Sequence, residues 1–352
     1  MTVVQRAVPS HRAPFFRHLS RELGARGAEL VVTRGARGAP LGGPLVRGSD
    51  ALIMEHALSG AELYPALLRS GLGQGPPLAL WGAGEPRAYR PAPLARAARA
   101  RLALLGHRYF AHTEGGRRDA LRWGVPDHRI TVLRNTTDTA PLRTARDAVR
   151  AEDMRELRAR HGLKPGRTAL FTGRLDAAGR IPYLLAATHA LAKLLPGFTL
   201  LVAGEGELRG LVEAAAAGPG PGPRRGGDGR SPVVALAPPT PRELATYGAT
   251  ADVLLSPGRV GLTAVDSFVL GLPIVTTPWP LHGAEFEYLE DGRNAVVVRG
   301  GPDAYAQAVA ALLAAPARLA MLRTACRAEA ASYTVEGMSR RFADGVEHLL
   351  GT

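Results

Sequence analysis

The sequence predicts an α/β fold of two doubly wound parallel domains, and three observations carry that reading. The chain has 352 residues, enough for two separate cores at roughly 100–200 residues per domain. Short β-rich apolar runs alternate with helix-period stretches along its whole length, the pattern of parallel strands joined by crossover helices. Charge divides unevenly: residues 1–150 hold 23 Arg against 11 acids, whereas residues 151–352 hold 21 Lys and Arg against 20 acids. Such asymmetry fits two domains with different ligands.

In the first half, Thr2–Arg6 and Glu29–Thr33 read as strands, and His11–Leu23 between them places Phe15, Phe16, Leu19 and Leu23 at helical spacing. Ala51–Glu55, Pro77–Trp81, Arg108–His112 and Arg129–Leu133 continue the strands, with helices near 61–70, 91–106 and 116–123. The second half repeats the scheme with Thr168–Thr172, Phe198–Ala203, Val233–Leu236, Ala251–Leu255, Pro273–Thr277 and Asn294–Val298. Helices fit near 182–195, 206–217, 241–248, 261–270, 302–314 and 316–331. Arg134–Lys164 is polar and charged, has a helical reading at 147–161, and is the expected hinge. Gly218–Arg230 is too rich in Gly, Pro and Arg to pack a core and reads as a surface loop. Its Arg224 and Arg225 would serve as an anion-binding arm only on the less favoured reading.

Hydrophobic residues make up 46% of the chain, which excludes wholesale disorder and a membrane-embedded body. The lone Cys326 excludes a disulfide framework and a cysteine-rich zinc site, and fits a reducing compartment. With no twenty-residue apolar span and no secretory leader, a cytoplasmic location is expected, with the inner membrane surface as a peripheral alternative. The net charge of +13 asks for an anionic partner: nucleic acid, a membrane surface or a phosphorylated substrate. Because Lys164 and Lys193 are the only lysines, the arginine excess also fits GC-rich coding, and no single arginine is decisive.

In doubly wound sheets ligands bind outside the carboxyl ends of the strands. After Thr168–Thr172 comes Gly173-Arg174-Leu175-Asp176-Ala177-Ala178-Gly179-Arg180, where two guanidinium groups at the start of a helix would cradle a diphosphate. Pairing of Arg174 with a surface carboxylate fits that segment equally well. Gly204 and Gly206 follow the next strand, either to admit a ligand closely or simply to make a strand-to-helix turn. The richest segment is Ser256–Phe268, in which Gly258, Arg259, Val260, Gly261 and Leu262 lead into a helix start with amides aimed at an anion. Asp266, a turn further on, would accept hydrogen bonds from ribose hydroxyls, or merely complement the helix dipole.

These segments together resemble the GT-B glycosyltransferases of the large retaining family 4. The residues concerned are FTGRL at 171–175, LLVAGEGE at 200–207 and PGRVGLTAVDSFVLGLPIVTT at 257–277. HRAPFFRHL at 11–19, LWGAGE at 80–85 and ITVLRNTTDT at 130–139 extend the likeness over nearly the whole chain. The resemblance implies two Rossmann-like domains facing across a cleft. These are expected at 1–145, completed by a C-terminal helix over 337–352, for the acceptor, and at 146–336 for the nucleotide-sugar donor. It implies that Arg174 binds the donor diphosphate, that Gly261 and Leu262 offer it backbone amides, and that Asp266 replaces the glutamate that holds the ribose. Two positions depart from the family pattern. The first glutamate of its E-x(7)-E block falls on Gly258, and its usual lysine falls on Gly179, leaving Arg180 as the substitute, which is not a conservative exchange.

Further candidates follow. His282 and Glu285, with Glu287 less favoured, would bind sugar hydroxyls beside a Trp279 platform; an ordinary loop with a solvated acidic face is the bland alternative. In the first domain, Ser10, His11 and Arg12 would contact acceptor or donor phosphate, because three consecutive polar residues are costly to bury. Gly84 and Glu85 follow a strand, with Glu85 as acceptor-orienting residue or base, and His112, Thr113 and Glu114 are weaker candidates. Asn135 and Asp138 read as structural caps of the hinge turn. The arginines between Arg87 and Arg108, with Arg96, Arg99 and Arg101, form the best basic patch for a lipid-linked or other anionic acceptor or a membrane; a natural-product acceptor is the alternative.

The expected reaction is transfer of a sugar from a UDP- or GDP-linked donor, with retention. Neither metal nor cofactor is expected, since no strand-preceded D-x-D and no ligand-spaced His, Asp and Glu set occurs. A nucleotide-sugar epimerase of the same fold is a second reading, and would require a denser set of carboxylates. Nucleic-acid binding is a third, disfavoured because aromatic residues are only 5% and no binding motif is present.

Overall fold

The computed structural model describes residues 1–5, 12–34, 48–57, 63–85, 92–218 and 229–351. It divides into two compact units, Met1–Asp138 with Ser332–Thr352, and Thr139–Ala331. The described part of each unit is built on one parallel six-stranded sheet.

The first sheet contains β1 (Thr2–Gln5), β2 (Val31–Arg34), β3 (Leu52–Glu55), β4 (Leu78–Gly82), β5 (Arg108–Ala111) and β6 (Ile130–Val132), in the order β2-β1-β3-β4-β5-β6. Its strands are short, apolar and nearly all buried, as expected of a sheet covered on both faces. One face is covered by α1 (Ala13–Ala25) and the C-terminal helix, Val335–Leu350. That pairing depends on Phe15, Phe16, Leu19, Met338 and Phe342, with Phe342 stacked on Phe110 at 4.4 Å between ring centres. Gly345 permits the approach: a Cβ there would lie 2.4 Å from the Phe110 ring. The other face is covered by α2 (Leu63–Gly71), α3 (Pro93–Leu105) and α4 (Glu114–Arg122), which contribute Leu67, Leu102, Ala103 and Ala120 to the core.

In the second unit α5 (Ala140–Asp147) and α6 (Ala151–His161) precede the sheet. Thus the polar stretch read as one helix holds two, and α5 belongs with the second unit: Arg146 Nη1 donates to the Val269 carbonyl at 2.8 Å. The sheet comprises β7 (Thr168–Arg174), β8 (Thr199–Glu205), β9 (Val233–Leu236), β10 (Val253–Ser256), β11 (Ile274–Thr276) and β12 (Ala295–Val297), ordered β12-β11-β10-β7-β8-β9. The helices are α7 (Ile181–Leu194), α8 (Arg209–Ala217), α9 (Pro241–Thr250), α10 (Thr263–Leu270), α11 (Pro302–Leu313) and α12 (Pro316–Glu329). Pro at the first turn of α7, α9, α11 and α12 starts each without losing an internal hydrogen bond. The core joins Leu184, Leu191, Val202, Leu255 and Tyr305, with the Tyr305 hydroxyl donating to the Val275 carbonyl at 2.5 Å. Among the described residues no single helix is long and apolar enough to cross a membrane. The bent pair α11–α12, which together would be, buries Val309, Leu312 and Leu322 in this core.

Candidate functional site

Counted from β7, the second sheet runs 3-2-1-4-5-6, with its reversal between β7 and β10. Loops leaving these two strands turn in opposite directions, so a ligand crevice is expected at their carboxyl ends. Both loops carry the residues that the sequence singles out.

The β7 loop leaves through Gly173, φ 144°, passes a 3-10 turn at Ala177–Gly179 capped by Asp176, and reaches Arg180 with φ 53° and ψ 43°. A left-handed residue other than glycine costs roughly 1–2 kcal/mol, so its surroundings must hold it there. They do so through aromatic faces: the Arg180 guanidinium lies 4.1 Å from the Tyr183 ring centre and 4.5 Å from that of Trp279. Its Nη1 also donates to Thr277 Oγ1 at 3.0 Å. Arg174, by contrast, has 82% of its side chain exposed and pairs only through Nε with Asp176, at 3.1 Å. Such an exposed pair contributes little and exchanges readily for a stronger anion.

The β10 loop lies directly on this turn. A Cβ on Gly258 would fall 2.3 Å from the Gly179 carbonyl carbon and 2.5 Å from the Ala178 oxygen, and the Arg259 amide donates to that oxygen at 2.8 Å. The two departures from the family pattern, Gly258 and Gly179, therefore meet in one contact: backbone of the β7 loop occupies the space a side chain at 258 would need, whereas a Cβ at Gly179 would meet its own loop, the Arg174 oxygen at 2.9 Å. Beyond it, the amides of Gly261 and Leu262 at the start of α10 donate to no acceptor among the described residues. The Trp279 indole N–H is also buried without a partner.

Asp266 is half-buried on α10, and its carboxylate accepts no hydrogen bond among the described residues. Burial alone pushes its pKa up to about 6. Glu285 is buried with a carboxylate oxygen 3.6 Å from where a Gly261 Cβ would stand. His282 is placed otherwise than expected. Its Nδ1 accepts from the Val260 amide at 3.0 Å, Nε2 lies 2.8 Å from the Thr277 carbonyl, and the ring stacks on Phe286 at 3.7 Å. With both nitrogens on backbone groups, His282 staples the β11 loop to the β10 loop and has nothing to offer a sugar hydroxyl. Gly204 and Gly206 are likewise required by backbone packing: Cβ atoms there would lie 2.1 Å from the Gly173 oxygen and 2.4 Å from the Leu175 oxygen.

Residues 166–315 match the family model described as glycosyl transferases group 1. Of solved structures, Anabaena HepE in complex with UDP superposes with a TM-score of 0.68 at 15% identity over 99% of both chains. A glycosyltransferase from Rickettsia africae gives 0.70 at 12%, covering 99% of this chain and 98% of that one. Sucrose-phosphate synthase from Thermosynechococcus elongatus gives 0.65 at 14%, with the same coverage. No curated protein sequence matches the chain. The chain is a glycosyltransferase of GT-B fold.

Ser10 and His11 lie outside the described residues, as does Arg87. Arg12 is half-buried with its guanidinium 4.5 Å from the Trp81 ring centre. His112 at the end of β5 makes no side-chain hydrogen bond among the described residues; burial, aided by Arg12, lowers its pKa to about 3, so it is a neutral imidazole. Gly84, φ 89°, is fixed by Asp119, whose Oδ2 accepts from the Glu85 amide at 2.8 Å. Glu85 itself does not project as a free base. Its Oε1 accepts from Trp123 Nε1 at 3.2 Å and lies 3.6 Å from Arg96 Nε, so this carboxylate ties α3 to α4.

The basic patch is also partly internal. Arg108 is buried, donating to Thr131 Oγ1 at 2.8 Å and to the His128 carbonyl at 3.1 Å, and Arg99 donates to the His56 carbonyl at 2.9 Å. His56, which the sequence did not flag, is buried against Tyr109 and Trp123, and desolvation lowers its pKa to about 4. Only an apolar-looking loop surrounds it in sequence, so no local signal marks it. Tyr183 does carry a local signal: it lies three residues after Arg180, the spacing of neighbours on a helix.

Proposed function

We propose that this glycosyltransferase moves a sugar from a nucleotide-diphosphate donor, UDP-linked in the first instance, to an acceptor hydroxyl, with retention and with arginines at the diphosphate in place of a metal ion. One observation carries the reading. The strand ends around α10 hold a surplus of hydrogen-bond donors, namely the Gly261 and Leu262 amides, the Trp279 indole, the outer nitrogens of Arg174 and Nη2 of Arg180. Donors without acceptors at a helix start are what a multiply charged anion fits. UDP in the Anabaena structures supports the choice of nucleotide.

On this reading the diphosphate lies on the α10 amides, and Arg180, already locked between two rings, needs no reorganisation when negative charge develops on the leaving oxygen. Arg174 exchanges Asp176 for the phosphate. Asp266, ionised, accepts the ribose hydroxyls. The bond from the anomeric carbon to the diphosphate breaks, the acceptor oxygen bonds to the same face, and its proton passes to the departing phosphate. The acceptor is anionic or lipid-linked, or else a natural product. No resident cofactor enters; the nucleotide sugar is a substrate.

A panel of UDP- and GDP-sugars, read by thermal shift and by donor hydrolysis in the presence of a chelator, tests this. At about a hundredfold excess over Kd a bound donor adds roughly 2.7 kcal/mol. Full activity of both Arg180→Ala and Asp266→Ala, or a strict requirement for a divalent ion, would overturn it. Anomeric analysis of the product by NMR decides retention.

A further inference from the structure

Helices α2, α3 and α4 follow β3, β4 and β5, which are consecutive in the first sheet, and all three sit on the same face of that sheet. Their inward residues, Leu67, Leu102, Ala103 and Ala120, pack into the core beneath them. The outward surface of α2 and α3 is unusually apolar. Leu94 is 82% exposed, Leu72 69% and Leu68 64%, with Tyr64, Leu104 and Leu105 exposed beside them. On α2 and the residue just past its end, Tyr64, Leu68 and Leu72 repeat every four residues, and on α3, Leu94, Ala98, Arg101 and Leu105 repeat at three and four, so each helix turns one stripe outward.

The same surface carries positive charge almost without opposition. Among the described residues from Leu63 to Thr113 the one carboxylate is Glu85, and Glu85 is engaged by Trp123 and Arg96, while Arg99 and Arg108 are turned inward and lie outside this surface. Arg69, Arg96 and Arg101 are exposed. A face of leucines set among arginines has the composition of helices that lie in a lipid headgroup layer, where leucines enter the acyl boundary and guanidinium groups meet phosphates. A second copy of the chain fits poorly, since a two-fold contact would bring arginine against arginine.

We propose that the outer surface of α2 and α3 is a docking face for an anionic lipid bilayer. It is independent of the donor site and of which sugar is transferred.

The test is co-sedimentation of the full chain with vesicles of roughly three parts phosphatidylcholine to one of phosphatidylglycerol, against pure phosphatidylcholine. The protein is expected to partition onto the anionic vesicles and to be released at about 0.5 M salt, where surface charge is screened within a few ångströms. Leu68→Glu with Leu94→Glu and Leu105→Glu is expected to lower partitioning at least about tenfold, with an unchanged UDP-induced thermal shift as the check on folding. Should that variant misfold, Arg69→Gln with Arg101→Gln supplies the same comparison with no change to the leucines. Equal partitioning onto neutral and anionic vesicles, or undiminished binding by folded variants, overturns the proposal. A concentration-dependent dimer abolished by the leucine variant would also overturn it, by showing that a second copy covers the face.

Discussion

The loop contact at Gly258 makes a prediction that runs against the family pattern. Restoring a side chain there, as Gly258→Ala or Gly258→Glu, places Cβ 2.3 Å from the Gly179 carbon, 2.4 Å from its oxygen and 2.5 Å from the Ala178 oxygen. These are backbone atoms, so no rotamer change relieves the overlap, and the turn at 177–179 must move. Overpacking of a well-packed site costs about 1–3 kcal/mol, and backbone on the opposing side puts this case at the upper end. For a unit of about 190 residues, a loss of about 3 kcal/mol lowers Tm by roughly 6–12 °C. Gly179→Ala meets the Arg174 oxygen at 2.9 Å and a flexible Ile181 methyl at 3.4 Å, so its penalty is smaller, about 1 kcal/mol. Thermal unfolding of both variants gives the order, and donor hydrolysis shows whether the shifted turn misplaces Arg180. A Gly258→Ala protein melting within a degree or so of the parent, or a Gly258→Glu protein with increased activity, refutes the stacking of these loops.

Three further outcomes follow. Asp266→Asn is expected to weaken UDP-induced stabilisation yet raise the stability of the unliganded protein at pH 7. With a folded pKa raised to about 6 from 3.8, stability is fully present below the unfolded value, falls as pH rises to the folded one and is flat above it. The relief amounts to about 2 kcal/mol after allowance for partial exposure, and denaturant titrations across that window check it. Arg180→Lys is expected to lose at least about tenfold in kcat/KM, because an ammonium group lacks the planar face that Tyr183 and Trp279 hold; Tyr183→Leu should lower kcat/KM less, and parity of Arg180→Lys with the parent counts against the clamp. His282→Ala removes contacts to Val260 and Thr277 and is expected to cost about 2–3 kcal/mol in urea unfolding, with activity falling as the β10 and β11 loops loosen.

How far the sequence reached is decided by how local each signal is. Every strand and crossover helix announced itself within a window of a dozen residues, because burial on both faces demands continuous apolar runs and amphipathic helices between them. The unsatisfied amides at Gly261 and Leu262 were legible for the same reason: a helix start leaves them open wherever it occurs. What sequence could not give were contacts between segments. Arg108 reads like its exposed neighbours Arg96 and Arg101 until Thr131 and His128 appear beside it. Glu85 reads as a base until Trp123, 38 residues away, occupies its oxygen. Likewise Arg180 reads as a bare charge, and only the arrival of Trp279 from the β11 loop makes it a fixed one.

The same logic changes what the two glycines mean. As a string, Gly258 and Gly179 are two separate losses, a missing acid and a missing lysine, and two independent losses would point to a degraded site. As a contact they belong together: a glutamate at 258 has no room while the 177–179 turn lies against it, and that turn sets Arg180 in its left-handed conformation under Trp279. Strain at one residue is retained only where the surroundings over-determine it, and here two rings, a threonine hydroxyl and the opposing loop do so together. One structural change thus removes a carboxylate and immobilises a guanidinium, making the strand-end site more electropositive.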